Sequence, residues 1–181
     1  MKVAKTSLPG VLVLNSTVYR DRRGAFCETF NLRAMEETGL TGPWVQDNYS
    51  LSRKNVLRGI HYQLVQPQGK LIRVTLGAVF DVAVDLRRGS PTFAKHLAIE
   101  LDGECGEMLW IPEGFGHGFL ALTDVVGFAY KVTDYYSPAG ERTILWNDPE
   151  LAIPWPIAPD IAILSDKDRA GLALREAEIF P

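Results

Sequence analysis

Two side chains suited to acid–base and anion chemistry, Arg58 and His61, lie close together in the apolar segment VLRGIHYQ (56–63). A neutral imidazole takes up a proton near neutral pH, and a planar guanidinium suits phosphate oxygens. In a regular strand, residues three apart point to opposite faces, but Gly59 permits a bulge that would bring both side chains to one site. The segment therefore indicates either a base beside an anion-binding arginine or a core histidine beside a surface arginine.

A second segment, VFDVAVDL (79–86), places two carboxylates in an apolar strand. Its even-numbered residues are all apolar, whereas Asp81 and Asp85 share the odd-numbered face, because a strand has a period of two. That face suits the polar interior of an open barrel and equally a plain solvent-exposed surface. The segment by itself leaves both interpretations open.

Short strands are the elements that must position these groups. Clusters of Gly, Pro, Asn and Asp separate many short apolar runs, which is typical of an all-β sandwich or barrel. The predicted strands are Val11–Leu14, Ala25–Phe30, Val45–Ser50, Lys70–Leu76, Val79–Leu86, His96–Leu101, Glu107–Ile111, Gly118–Leu122 and Val126–Thr133.

Only two stretches are predicted to be helical. Leu32–Glu37 follows Asn31, which is a good N-cap residue. Asp166–Ile179 follows Ser165 and begins like a capping box, although Asp stands where Glu or Gln is usual. These two helices would lie at the periphery of the β structure.

Composition excludes several classes of protein. The 181 residues, 46% hydrophobic and 23% charged, fit one ordinary globular domain spanning 1–181. A net charge of −3 argues against a nucleic-acid surface, and no apolar run is long enough to cross a membrane. Cys27 and Cys105 are isolated, so we expect neither a disulfide framework nor a zinc site, and a cytoplasmic location is the simplest.

A third motif favours one type of β barrel. In WIPEGFGHGF, the arrangement of Pro112, Gly114 and His117 resembles the second motif of cupin jelly-roll proteins, whose histidine points into the barrel. Metal-binding cupins carry H-x-H in the first motif, but His61-Tyr62-Gln63 stands here, so one imidazole is missing. We therefore expect no metal, and histidines that are free for proton transfer.

The chain as a whole resembles the dTDP-4-dehydrorhamnose 3,5-epimerase family from Val18 to Asp168. The resemblance rests on a long ordered series of motifs: DRRGAFCETF, VQDNYS, VLRGIHYQ, QGKLIRV, GAVFDVAVDLRRGSPTF, WIPEGFGHGFLAL, YKVTDYY, NDPELAIPWP and LSDKD. It implies a cupin-type jelly-roll barrel, a homodimer, no metal and no organic cofactor. It also implies a dTDP-4-keto-6-deoxyhexose substrate that is epimerised at C3 and C5.

The same resemblance assigns the catalytic set. It makes His61 the base, Asp168 its carboxylate partner, Lys70 the cation for the enolate oxygen and Tyr130 the acid on the opposite face. Each residue alone has a plain structural interpretation: a bonded core histidine, a solvated lysine or a core aromatic. The complete ordered set favours catalysis.

The resemblance also assigns contacts to the substrate. Arg58 would bind the diphosphate, Tyr136 would stack on thymine, and Arg23 and Glu28 would reach the nucleotide from the other subunit. Gln46, Asp47 and Asn48 would supply polar contacts, His117 would lie near the sugar, and Glu141 and Lys167 would make further contacts. From our strand assignment Asp81 faces inward, which would make it a partner for His117. Five other arginines are predicted to be surface charges: Arg22, Arg53, Arg73, Arg87 and Arg88.

Several functions remain open at this point. The principal hypothesis is a 3,5-epimerase, and a 3-epimerase that acts on C3 alone is the first alternative. A non-catalytic sugar-nucleotide-binding cupin, a metal-dependent cupin enzyme and a 3,4-ketoisomerase fit the sequence less well.

Overall fold

The computed structural model describes residues 1–104 and 106–181, so Cys105 lies outside the described residues. Within them the chain is dominated by strands, with two short α-helices, α1 (Leu32–Glu37) and α2 (Asp166–Arg169). The strands in chain order are β1 (Lys2–Lys5), β2 (Leu12–Asn15), β3 (Val18–Asp21), β4 (Gly24–Cys27), β5 (Gln46–Arg53), β6 (Leu57–Gln63), β7 (Lys70–Leu76), β8 (Ala78–Asp85), β9 (His96–Asp102), β10 (Glu107–Ile111), β11 (Phe115–Ala121), β12 (Val125–Val132) and β13 (Glu141–Thr143).

Two antiparallel sheets form a jelly-roll barrel. The six-stranded sheet has the order β1-β2-β10-β7-β12-β5, and the five-stranded sheet has the order β13-β6-β11-β8-β9. Their inner faces enclose an apolar core that includes Ile72, Leu109, Phe119 and Phe128. The hairpin β3–β4 forms a separate two-stranded sheet. The predicted all-β jelly-roll class with small peripheral helices is confirmed.

The bulge predicted at Gly59 is present in β6. His61 is opposite His117 and Arg58 is opposite Phe119, so three steps on β6 match two on β11. Gly59 has φ 118°, and a Cβ there would lie 2.4 Å from the Cα of Gly118. Only glycine permits both this backbone conformation and this close approach.

Strand β8 shows which alternative holds for the VFDVAVDL segment. Val79 and Ala83 lie in the core between the sheets, and Asp81 shares their face and is fully buried. Val82 and Val84 pack on the other side of the strand in a second apolar cluster. The odd-numbered face is therefore the barrel interior, and the solvent-exposed interpretation is wrong.

The first helix was predicted correctly and the second was not. Helix α1 begins after Asn31, whose side chain accepts a hydrogen bond from the Ala34 amide. Helix α2 begins after Ser165 as predicted but ends at Arg169, because the next residues pair with the barrel as extended chain. Leu172 donates from its amide to Thr143 and accepts from Leu145, which excludes a helix to residue 179.

Several strand boundaries also differ from the prediction. The predicted strand Ala25–Phe30 is limited to Gly24–Cys27, because the chain turns at residues 28–31 into helix α1. The short strands β1, β3 and β13 were missed, since their segments KVAK, VYRD and ERT contain charged residues and carry no apolar run. Among the described residues, no helix is long and apolar enough to span a membrane.

Asp85 organises the turn that follows β8. Its buried carboxylate accepts hydrogen bonds from the Arg87 guanidinium (2.7 Å) and from the hydroxyls of Ser90 (2.6 Å) and Thr92 (2.7 Å). Arg87 also lies 4.5 Å from the ring centroid of Phe115. The prediction that Arg87 is a simple surface charge is therefore wrong, since its guanidinium stabilises a buried carboxylate.

We expect Asp85→Ala to lower the free energy of unfolding by about 3 kcal/mol, because the hydrogen bonds that Arg87, Ser90 and Thr92 donate to the buried carboxylate would all be lost. Burial alone would raise the pKa of Asp85, but the bonds from Arg87, Ser90 and Thr92 lower that pKa to about 2. The carboxylate therefore stabilises the fold above pH about 4, and this contribution is lost as the pH falls towards 2. Urea unfolding at pH 7 and at pH 3 measures both effects, and an unchanged midpoint at pH 7 would contradict the prediction.

Candidate active site

A cavity of about 320 Å³ opens between the two sheets. The five-stranded sheet contributes Arg58 and His61 from β6 and His117 from β11. The six-stranded sheet contributes Lys70 from β7 and Tyr130 from β12. The residues predicted to perform proton transfer thus line one cavity, although they come from different strands and different sheets.

His61 is paired with a carboxylate 107 residues away. Its Nε2 lies 2.5 Å from Oδ1 of Asp168, which is buried at the start of helix α2. Burial tends to raise the pKa of Asp168, but hydrogen bonds from His61 and Ser165 outweigh it and lower the pKa. The ionised carboxylate fixes the imidazole tautomer and stabilises the imidazolium, while the second ring nitrogen remains available for a proton.

Lys70 and Tyr130 lie on neighbouring strands of the opposite sheet, where Lys70 is opposite Val132 and Tyr130 is opposite Ile72. Burial lowers the pKa of Lys70 to about 8, against the opposing effect of Glu113 and Glu141. Burial raises the pKa of Tyr130, Arg58 opposes this rise and Glu141 adds to it. At neutral pH the site therefore holds a cationic lysine and a protonated phenol, which are an electrophile and an acid.

The cavity contains a second histidine–carboxylate pair. Nε2 of His117 lies 3.0 Å from Oδ2 and 3.1 Å from Oδ1 of Asp81. The imidazole stacks on Phe128, with 5.9 Å between ring centroids and 21° between planes. The expected contact between Asp81 and His117 is thus present, and both side chains are buried inside the barrel.

We expect Asp81→Asn to lower kcat about tenfold, because His117 would lose its charged hydrogen-bond partner. Loss of a hydrogen bond to a charged group costs about 1.5–3 kcal/mol, and 1.36 kcal/mol corresponds to a tenfold rate. Steady-state kinetics between pH 6 and pH 9 would measure this, with Asp124→Asn, in the turn before β12, as a control. Unchanged turnover across this range would show that the contact has no functional role.

Charged and polar groups surround the mouth of the cavity. Arg58 is exposed and donates from Nε to the Ser52 hydroxyl (3.1 Å). Glu141 accepts from Lys167 (2.8 Å) and from the Tyr136 hydroxyl (3.1 Å). The bond to Lys167 joins β13 to helix α2, which also carries Asp168. The mouth and the His61 pair therefore depend on the same helix.

The structure does not bring every predicted contact residue to the cavity. Arg23 and Glu28 do not line it, and Arg23 is exposed and bonded to Asp21. Asp47 is on the outer face of β5, where it pairs with Lys131 (2.8 Å). Among the remaining predicted residues, Asn48 lines the cavity, whereas Gln46 is linked to it through bonds to Asn48 (2.8 Å) and Tyr136 (3.3 Å).

Among the cavity residues that sequence reasoning missed are two glutamines, Gln63 and Gln68. Both are neutral amides, so no pattern of charge or titration marked them. The signal available was position: Gln63 is two residues after His61 and therefore on the same strand face, and Gln68 is two residues before Lys70.

The described part of the chain contains no group of three His, Cys, Asp or Glu side chains arranged to hold a metal ion. The His61 and His117 rings each bind a different carboxylate, Asp168 and Asp81, rather than converging on one point. The absence of a metal cofactor stays a prediction from the missing H-x-H motif.

The fold and the cavity define a cupin-type barrel whose cavity is lined by two carboxylate-bound histidines, a lysine and a tyrosine. The model of the dTDP-4-dehydrorhamnose 3,5-epimerase family matches residues 5–176, and the chain belongs to this family of isomerases. It is 51% identical to dTDP-4-dehydrorhamnose 3,5-epimerase from Pseudomonas aeruginosa, over 100% of both chains.

Solved structures agree with this assignment. The dTDP-6-deoxy-D-glucose-3,5-epimerase of Legionella pneumophila, in complex with dTDP-4-keto-L-rhamnose, superposes with a TM-score of 0.94 at 46% identity, covering 98% of this chain and 94% of the other. A 3'-monoepimerase from Streptomyces bikiniensis, in complex with dTDP-quinovose, has a TM-score of 0.87 at 34% identity. The match covers 94% of this chain and 86% of the other. The same barrel fold thus occurs in a protein named a 3,5-epimerase and in one named a 3'-monoepimerase.

Proposed function

We propose that this protein epimerises dTDP-4-dehydro-6-deoxy-D-glucose at C3 and C5 to give dTDP-4-dehydro-L-rhamnose. The observation that carries the proposal is the His61–Asp168 pair (2.5 Å) in one cavity with Lys70 and Tyr130. Membership of the epimerase family supports the same substrate class. The expected cytoplasmic location stays a prediction from the two isolated cysteines of the sequence.

The chemistry follows from the substrate ketone. The hydrogens on C3 and C5 are both next to the C4 carbonyl, so removing either one gives an enolate whose charge rests on the C4 oxygen. His61 takes the proton and its imidazolium is stabilised by Asp168, while the Lys70 ammonium stabilises the enolate oxygen. Tyr130 then donates a proton to the other face of the carbon, which completes the inversion.

The nucleotide part of the substrate would bind at the mouth. The exposed Arg58 is held by Ser52, and its planar fork suits diphosphate oxygens. Tyr136 offers an exposed ring for stacking on thymine, and Asn48 and Lys167 offer polar contacts. Asp47 lies on the other side of its sheet, so as a contact residue it would act from its backbone or towards a neighbouring chain.

A homodimer is part of this proposal. The hairpin β3–β4 carries two exposed aromatic rings, Tyr19 (64%) and Phe26 (70%), and the edge strand β5 exposes Tyr49 (62%) and Leu51 (60%). Exposed apolar edge strands and hairpins are surfaces that a partner chain commonly covers. Arg23 lies on the same hairpin, away from its own cavity, and would contact nucleotide bound by the partner.

We expect a dimeric mass in light scattering and recovery of activity when two inactive variants are combined. His61→Ala and Arg23→Ala would each be inactive or weak alone, because one lacks the base and the other lacks the contact made across the interface. Co-expressed, they form mixed dimers with one complete site. A monomeric mass, or no recovery in mixed dimers, would refute a shared site.

The 3-epimerase hypothesis is retained because the Streptomyces 3'-monoepimerase shares this barrel at 34% identity. Incubation with dTDP-4-dehydro-6-deoxy-D-glucose in D₂O, followed by proton NMR, separates the candidates. Deuterium at both C3 and C5 supports the 3,5-epimerase, and deuterium at C3 alone supports the 3-epimerase. Nucleotide binding without exchange at either carbon would refute catalysis on this substrate.

A further inference from the structure

The loop 134–137, which follows β12 and carries Tyr136 over the cavity mouth, is held by an unusual set of side chains. The sequence contains four glutamines, and every one of them bonds to this loop. The partners are the Tyr136 amide for Gln46 (3.3 Å), the Tyr135 carbonyl and the Ser137 amide for Gln63 (3.2 and 3.0 Å), the Asp134 carboxylate for Gln66 (3.2 Å) and the Asp134 carbonyl for Gln68 (2.8 Å).

Gln63 has the central place in this set. Only 4% of it is exposed, and its amide group makes three hydrogen bonds. Its Nε2 donates to the carbonyls of Gln66 (2.7 Å) and Tyr135 (3.2 Å), and its Oε1 accepts from the Ser137 amide (3.0 Å). A buried amide satisfied in this way fixes the backbone on both sides of Tyr136, because breaking any of the bonds would leave a buried polar group unpaired.

The far end of the Tyr136 side chain is fixed from the same strand pair. Its hydroxyl donates to Glu141 (3.1 Å), and Glu141 is opposite Gln63 in the pairing of β13 with β6. Gln63 thus holds the backbone on both sides of Tyr136, and Glu141, its partner on the neighbouring strand, holds the Tyr136 hydroxyl. The ring is held at the mouth while half of its surface stays exposed to a ligand.

We propose that Gln63 is a positioning residue for nucleotide recognition: it holds the Tyr136 ring ready to stack on the base and sets affinity rather than chemistry. This inference rests on the proposed function, which gives Tyr136 its base-stacking role. Gln63 acts through Tyr136, and its loss leaves the His61–Asp168 pair intact, since Asp168 is held by Ser165 (2.6 Å), the N-cap residue of helix α2.

The expected effect follows from the fraction of molecules in which the loop 134–137 holds Tyr136 ready to bind the base. Gln63→Met keeps the side-chain length and removes all three hydrogen bonds. Suppose that only about one molecule in ten then holds the Tyr136 ring in its binding position. The apparent Kd for dTDP rises about tenfold, because it scales inversely with the fraction of molecules in the binding conformation. At saturating substrate kcat would change less than about twofold, so the loss appears in KM.

The test measures dTDP binding by calorimetry on wild type, Gln63→Met, Tyr136→Ala and the double variant. Gln66→Ala is the matched control, because within the described residues its side chain bonds only to the Asp134 carboxylate. We expect the double variant to bind no more weakly than Tyr136→Ala alone, since both changes remove one interaction. Hydrogen exchange in the peptide covering 134–140 should be faster in Gln63→Met than in wild type.

The outcomes separate the inference from the function on which it rests. If wild type binds no dTDP, or Tyr136→Ala binds it normally, the proposed nucleotide contact fails and this inference with it. If Tyr136→Ala weakens binding but Gln63→Met does not, or if the two losses multiply, only the inference is overturned. Should Gln63→Met fail to fold, Gln63→Glu, which retains the acceptor for Ser137 and loses both donors, is judged by the same criteria.

Discussion

Replacing His61 by alanine is expected to abolish deuterium uptake at both C3 and C5, lowering turnover by about 10³–10⁴-fold. A positioned general base contributes about 10²–10⁴-fold, and here one imidazole would serve both carbons. Affinity for dTDP should be retained, because the nucleotide contacts lie at the mouth of the cavity. The protein should also fold, since the ring is partly exposed, with 27% of the side chain accessible.

Two further variants make the His61 experiment decisive. Asp168→Asn should lose much of the activity as well, because an amide no longer stabilises the imidazolium or fixes the same tautomer. His96→Ala is the matched control: His96 is on β9 and does not line the cavity, so its turnover should equal that of wild type. Exchange that persists at either carbon in His61→Ala would show that another group is the base there.

Lys70→Met is expected to lower kcat by about 10²–10³-fold, the range measured for the loss of one oxyanion donor in other enzymes. Only 8% of Lys70 is exposed, and methionine fills nearly the same volume, so the barrel should stay folded. Substrate affinity should change far less than turnover, because the enolate charge develops only during the reaction.

The pH profile gives an independent test of Lys70. Burial lowers the pKa of this lysine to about 8, so the cation is present below that pH and is lost above it. We therefore expect kcat/KM of the wild type to decline as the pH rises through about 8. Lys95→Met, an exposed lysine outside the cavity, should keep this decline, whereas the residual activity of Lys70→Met should lack it. A wild-type profile that is flat to pH 10 would contradict the assignment.

The sequence predicted those parts of the site that depend on local pattern. Gly59 indicated the bulge that brings Arg58 and His61 to one cavity, and the alternation in VFDVAVDL placed Asp81 and Asp85 on one face. Both follow from the period of a strand. The choice between barrel interior and solvent needed the second sheet, which no local pattern describes.

Other features could not be predicted because they depend on distant or short segments. The pairing of His61 with Asp168 joins residues 107 apart, and only the resemblance to the family indicated it. Helix α2 was predicted too long because its favourable N-cap is a local signal, whereas its end is set by pairing of Leu172 with the barrel. Gln63 was missed because its role lies in three hydrogen bonds to a loop rather than in a charge.

The distribution of the site over two sheets has a stereochemical consequence. His61 belongs to the five-stranded sheet, whereas Tyr130 belongs to the six-stranded one. A planar enolate lying between the layers has one face towards each sheet, so a proton lost to one layer and regained from the other inverts the carbon. The configuration of the product carbon would therefore depend on which sheet carries the proton-donating residue. If the acid lay on the same sheet as His61, the carbon would exchange its hydrogen with solvent but keep its configuration.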